Sequence, residues 1–211
     1  IGGLAGDALT DADFNIGIGH QALTNDTQGS KATAVGYRTL ANQNFSSATD
    51  SHNTAIGNDA GLNITTGQQN VLIGSLAGDA LTDADYNVAI GYAALTTDTQ
   101  GSRSTAVGTN ALNAQNFSSA TDAYNTAIGN NTGESITTGV ENTLVGGLAG
   151  DALTDADFNT AIGSKALDSD TQGSKTTAVG RNALKNQNFS SATDSGNTAV
   201  GYQAGLSVTT G

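Results

Sequence analysis

The stretch Asn53-Thr54-Ala55-Ile56-Gly57 decides how this chain is read. Asn197-Thr198-Ala199-Val200-Gly201 repeats it almost unchanged. A β-branched residue followed by Gly stands at Ile1, Ile18, Val35, Ile56, Ile73, Ile90, Val107, Ile128, Val145, Ile162, Val179 and Val200. Successive sites are 17, 17, 21 and 17 residues apart, and the later copies keep this register. Alternation in Thr54-Ala55-Ile56 puts Thr and Ile on one face of a short strand and Ala on the other. The following Gly permits a sharp turn or a close backbone approach. Between these sites the chain is mostly Asn, Asp, Thr, Ser and Gly, which is turn chemistry, and the apolar residues do not recur at helical spacing. The pattern predicts an all-β chain, a parallel β-solenoid of twelve rungs. Stacked at about 4.8 Å, twelve rungs make a rod of roughly 58 Å.

A longer period encloses the short one. LAGDALTDAD begins at Leu4, Leu76 and Leu148, DTQGS at Asp26, Asp98 and Asp170, and QNFSSATD at Gln43, Gln115 and Gln187. The chain is therefore three copies of a 72-residue unit, 1–72, 73–144 and a shorter 145–211, read as one continuous solenoid. Each rung buries its neighbours rather than itself. One Ile or Val, one Ala and one Leu per rung make a thin core, which predicts that chains also bury surface against one another.

Composition fits no conventional enzyme with a thick core. Leu, Ile, Val and Phe make up about a fifth of the chain, and the net charge is -12. By composition alone those values fall in the disordered class; the order of the residues reverses that reading. Seven basic residues against nineteen acidic ones predict no nucleic-acid partner and no docking on anionic membranes. No apolar run reaches the 18 or so residues of a spanning helix, so no membrane insertion is expected. The absence of Cys removes disulfides, thiolate metal sites and thiol nucleophiles. A chain that starts at Ile1 and contains no Met reads as a portion of something longer, with flanking fibre segments.

The repeated Asn-Thr-Ala-Ile-Gly-x-x-Ala-Gly pattern, clearest in Asn197 to Gly211, resembles the repeats of tail-fibre-type proteins of phages and bacteria. It is also similar to the head of trimeric autotransporter adhesins of the Yersinia-adhesin type. That resemblance implies a left-handed parallel β-roll and a homotrimeric rod. The adhesin-head repeat is nearer fourteen residues, whereas the repeats here are 17 or 21, so longer loops are expected.

Motifs for chemistry are sparse. Asp11-Ala12-Asp13-Phe14-Asn15 opens like a calcium loop, but Ile16 stands where the sixth-position Gly is required. Asp7, Asp11 and Asp13 could still gather a cation, although turn capping is the simpler role. A glycosidase needs two carboxyl groups at a defined separation. Most Asp residues here recur in every unit, which marks them as structural. The unrepeated Asp59, Glu134, Glu141 and Asp168 suggest no shared pocket. No catalytic residue and no cofactor are expected. The positions that change between units mark exposed surface. His20, Tyr37, Tyr92, His52 and Tyr124 are the candidate contacts, because exposed rings can stack on sugars or on partner proteins.

The expected function is a structural and adhesive fibre segment, extracellular or on a virion surface, that spans distance and presents loops in array to a host glycan or protein. A polysaccharide-degrading spike and an ice-binding solenoid are the alternatives. The sharing of one face by Thr54 and Ile56, and the replacement of the neighbouring residue by Leu72 or Gly17 in some rungs, count against ice binding. The four extra residues of each 21-residue rung should leave as a loop. Phe45, Phe117 and Phe189 should fold back to hold its base, and the pairs Ser51-His52, Ala123-Tyr124 and Ser195-Gly196 should face solvent.

Overall fold

The computed structural model describes all 211 residues. It contains strands and turns and no helix. Eleven three-residue strands, from Ile16–Ile18 to Thr198–Val200, form one parallel sheet in chain order. The register pairs equivalent residues: Ala55 with Leu72 at the end of the first unit, Ile56 with Ile73 across the first unit boundary and Ile128 with Val145 across the second. The chain is a β-solenoid of about eleven turns rather than twelve rungs. Ile1 lies before the first strand, yet its carbonyl accepts a 2.7 Å hydrogen bond from the Gly19 amide and so joins the ladder.

The small residue of each strand points inward. Ala34, Ala55, Ala89, Ala106, Ala127, Ala161 and Ala178 are fully buried, while Ile56, Ile128 and Ile162 are partly open to solvent. The rung interior is too narrow for side chains of Ile size from this side, because Leu23, Leu40, Leu95, Leu112, Leu167 and Leu184 fill it from the turns. Where the turn carries Gly61 and Gly78 instead of Leu, the strand carries Leu72 instead of Ala. A Cβ on either glycine would lie 2.8 Å from a Leu72 methyl. Leu144 between Gly133 and Gly150 repeats the exchange. Volume is thus conserved around each rung, as close packing demands.

With so small a core, the backbone ladder contributes much of the cohesion. Of 118 backbone hydrogen bonds, 95 lie outside the regular strands, and most of these join a turn to the equivalent turn of the next rung. At about 1 kcal/mol net each, they are collectively large. Side chains extend the ladder inside. The Asn70 amide donates to Asn53 Oδ1 at 2.9 Å, and the Asn87 amide to Asn70 Oδ1 at 2.9 Å. Asn53 Nδ2 donates to the Gly67 carbonyl at 2.7 Å, so the buried amide is satisfied. Gly57, at φ 141°, shows why Gly follows each strand. A Cβ there would stand 2.5 Å from the Gly74 carbonyl oxygen.

The 21-residue rung is built on a buried carboxylate. Asp98 is fully buried with no cation beside it. Its Oδ1 accepts from the Gly101 amide at 3.0 Å and the Phe117 amide at 3.2 Å, and its Oδ2 from Gln115 Nε2 at 2.6 Å. Gln115 Oε1 then accepts from Asn125 Nδ2 at 2.9 Å. Asp26, Gln43 and Asn53, and Asp170, Gln187 and Asn197, form the same chain of bonds. Neutral donors solvate the charge in place of water. This explains why DTQGS and QNFSSATD are identical in the three units: each supplies one half of the network. The extra residues leave as a loop and rejoin the ladder as Thr49–Asp50 on Gly29–Ser30, with equivalents in the other units.

The loop expectation needs one correction. Phe45 and Phe117 are buried as expected, and Phe189, though less fully covered, sits in the equivalent place, 2.8 Å from where a Cβ on Gly173 would lie. Ser51 and Ala123 are fully buried, not exposed. His52 and Tyr124 follow in the left-handed region, at φ 52° and 51°, and that turn sends the first member of each pair inward and the second outward.

Candidate functional site

The outward face of the large sheet is the most regular surface of the chain. Eleven strands with two outward residues each give twenty-two positions, and every one is Thr, Val or Ile. None is charged, on a chain of net charge -12. β-Branched side chains have few rotamers to lose, so the surface is stiff as well as flat. Its Thr hydroxyls, such as those of Thr54, Thr126 and Thr160, have no hydrogen-bond partner within the chain. Thr residues elsewhere differ. Thr10 Oγ1 donates to the Thr27 carbonyl at 3.0 Å, and Thr82 Oγ1 to the Thr99 carbonyl at 2.9 Å.

Two columns of side chains border this face. Just beyond each strand, His20 and Tyr37 stack with ring centroids 5.6 Å apart. Arg38 lies over the Tyr37 ring at 5.2 Å and pairs through two 2.8 Å bonds with Asp59. That hydrogen bonding raises the Arg38 pKa. Tyr92 stands exposed in the same column. Just before each strand, His52, Gln69, Tyr86, Arg103, Tyr124, Glu141 and Phe158 succeed one another, one per rung. Arg103 Nε reaches Asp122 Oδ1 at 3.0 Å, which raises its pKa, and its guanidinium lies between the Tyr86 and Tyr124 rings. The five sequence candidates therefore fall into two sets, His20, Tyr37 and Tyr92 on one border and His52 and Tyr124 on the other, with the flat face between them.

Sequence reasoning passed over Phe14, Tyr86 and Phe158 and the cations after them. The available signal was an aromatic residue followed 17 residues later by Lys or Arg and 19 later again by Asp, in every unit. It also separated acids that the fold brings together. The Ser135 amide donates to the Asp151 carbonyl and the Ala152 amide to the Asp168 carbonyl, so Glu134, Asp151 and Asp168 follow one another on three rungs. Asp151 Oδ1 is buried without a partner. Burial, then Glu134 and Asp168, push the Asp151 carboxyl up to about 6. Burial likewise raises Asp79, which accepts a hydrogen bond from Thr96. Asp7, Asp11 and Asp13 do not converge into a metal-binding cluster. No helix is long and apolar enough to cross a membrane. The chain matches no family model, no curated protein and no solved structure, so its surfaces are read from their own geometry.

Proposed function

We propose that the chain is a segment of a structural and adhesive fibre, carried outside a cell or on a virion, in which three copies share the flat β-branched face. Further fibre segments adjoin it, and the bordering columns meet a host glycan or protein. The observation that supports this reading is the uncharged face of twenty-two β-branched positions running the length of an acidic rod. Ile56 is 39% exposed in the single chain and Val200 69%. Covering such side chains contributes about 1 kcal/mol each, because full burial of Val or Ile is worth about 1.5–3 kcal/mol. Repetition along the rod multiplies that gain, and the stiff side chains lose little entropy.

Light scattering on the folded chain tests the reading. The expected mass is that of three chains, and Ile56→Asp with Ile128→Asp should return it to one. A wild-type chain that stays monomeric at high concentration overturns the trimer. The unpaired Thr hydroxyls favour one second reading, an ice-binding face left open to water. A monomer with thermal hysteresis abolished by Thr126→Tyr would establish that reading, and a trimer without hysteresis would dismiss it.

A further inference from the structure

We infer that each 72-residue unit carries one subsite for an uncharged glycan, made of an exposed aromatic ring, the cation on the next rung and the Asp that pairs with that cation. The three subsites are Phe14, Lys31 and Asp50; Tyr86, Arg103 and Asp122; and Phe158, Lys175 and Asp194. The inference deepens the adhesive part of the proposed function and does not depend on the number of chains in the fibre.

Three observations carry it. First, the aromatic rings are exposed, Phe14 by 82%, Tyr86 by 44% and Phe158 by 47%. Second, they occupy φ values of 60–61°, where a residue with a Cβ is disfavoured and Gly is free. Gly196 shows that this column accepts Gly, at φ 63°. Apart from the Arg103 contact to Tyr86, a large ring held at a strained and exposed position in all three units gives the fold nothing that Gly would not give. Third, the chemical class is kept while the residue changes: Phe, Tyr, Phe; Lys, Arg, Lys; Asp throughout. The neighbouring positions do not keep theirs, since His52 is matched by Tyr124 and Gly196.

The chemistry selects the ligand. Lys31 and Lys175 each meet their Asp at 2.5 Å, and Arg103 meets Asp122 at 3.0 Å. Each cation of the three subsites is therefore neutralised, and a polyanion finds no unpaired positive charge within them, on a chain of net charge -12. A neutral pyranose offers apolar C–H groups to the ring and hydroxyls to the ion pair. Arg103 covers one part of the Tyr86 ring at 4.6 Å, and the sugar meets the remaining exposed surface of that ring. Equivalent subsites recur every four rungs, about 19 Å apart at the ladder spacing. One polymer can engage several of them, so that weak contacts add through effective concentration.

The test uses the full chain on immobilised dextran, mannan, galactan and β-glucan, with heparin as the charged comparison. The expected result is retention on at least one uncharged polymer and none on heparin. The triple variant Phe14→Gly, Tyr86→Gly, Phe158→Gly should weaken retention at least tenfold, and Tyr86→Gly alone about threefold. Melting temperature should be held or raised, because Gly suits this corner. Tyr86→Phe should keep binding. Retention on heparin alone, no retention on any of the four polymers, or an unweakened triple variant overturns the inference. Light scattering is run on the same samples. If the triple variant lowers the number of chains, the rings are contacts between copies and the inference falls; if wild type is monomeric yet binds, only the trimer falls.

Discussion

Gly57→Ala should unfasten the solenoid at one rung. At φ 141° the backbone lies outside the conformations open to residues with a Cβ, at a cost of about 1–3 kcal/mol. The new methyl would also sit 2.5 Å from the Gly74 oxygen and 2.6 Å from its carbonyl carbon. Backbone cannot rotate away as a side chain can, so the two rungs must part. The bonds at risk are the Gly57 amide to the Val35 carbonyl, 2.9 Å, and the Gly74 amide to the Ile56 carbonyl, 2.8 Å. At about 1 kcal/mol each, they bring the total to about 3–5 kcal/mol. Because each rung touches only its neighbours, the damage should stay local. Amide hydrogen exchange should accelerate on the rungs around Gly57 and Gly74 and remain slow near Gly163. Gly147→Ala is the control: its φ is ordinary and the nearest atom to a Cβ, the Asn130 oxygen, is 3.8 Å away, so stability should change by less than about 0.5 kcal/mol. Wild-type exchange around Gly57 in the variant would refute the glycine-stack reasoning.

Leu72→Ala should cost about 3–5 kcal/mol in urea melts, because Gly61 and Gly78 on either side have no side chain to fill the cavity. Asp98→Ala leaves the Gly101 and Phe117 amides without their acceptor and Gln115 Nε2 with Ser104 Oγ alone. It should cost about 2–4 kcal/mol and open the Phe117 loop to proteolysis, while an unchanged cleavage rate would dismiss the buried-carboxylate account. Asp151, with its folded pKa raised from 3.8 to about 6, is destabilising when ionised; the penalty is full above pH 6 and disappears as pH falls below about 3.8. The full displacement corresponds to about 3 kcal/mol. Screening by solvent at this half-exposed site reduces it to about 1 kcal/mol. Asp151→Asn should therefore stabilise by about that amount at pH 8 and by nothing at pH 3.5, in paired denaturant melts.

The strands were legible because a β-branched residue next to Gly at intervals of 17 or 21 has few other readings. The direction of each face was not. Ala55 and Ile56 are both small enough for a strand interior, and only the Leu side chains arriving from the turns, Leu40 and Leu95 among them, decide that Ala goes inside. The inward turn of Ser51 depends on the left-handed conformation of His52, which the residue tolerates better than most but which its presence in a sequence does not announce. The grouping of Glu134 with Asp151 and Asp168 was hidden for a different reason. These acids lie 17 residues apart across a unit boundary, and only the register of the rungs makes them neighbours. The border columns were half visible. Variation between units pointed to His20, Tyr37, Tyr92, His52 and Tyr124. The aromatic positions that hold their class, Tyr86 and Phe158, went unnoticed because attention to change overlooks what persists.

Almost every hydrogen bond that joins one rung to the next runs along the rod. A pull on the two ends of the chain is therefore borne end-on by one rung boundary at a time, as in peeling, and not by many bonds at once in shear. Each 17-residue rung that yields pays out roughly 58 Å of extended chain at about 3.4 Å per residue, in exchange for the roughly 5 Å it occupied when stacked. The molecule would lengthen more than tenfold, in a staircase of similar steps, before its backbone came taut. A tether of this kind absorbs a sudden jerk as extension and spares whatever holds its far end.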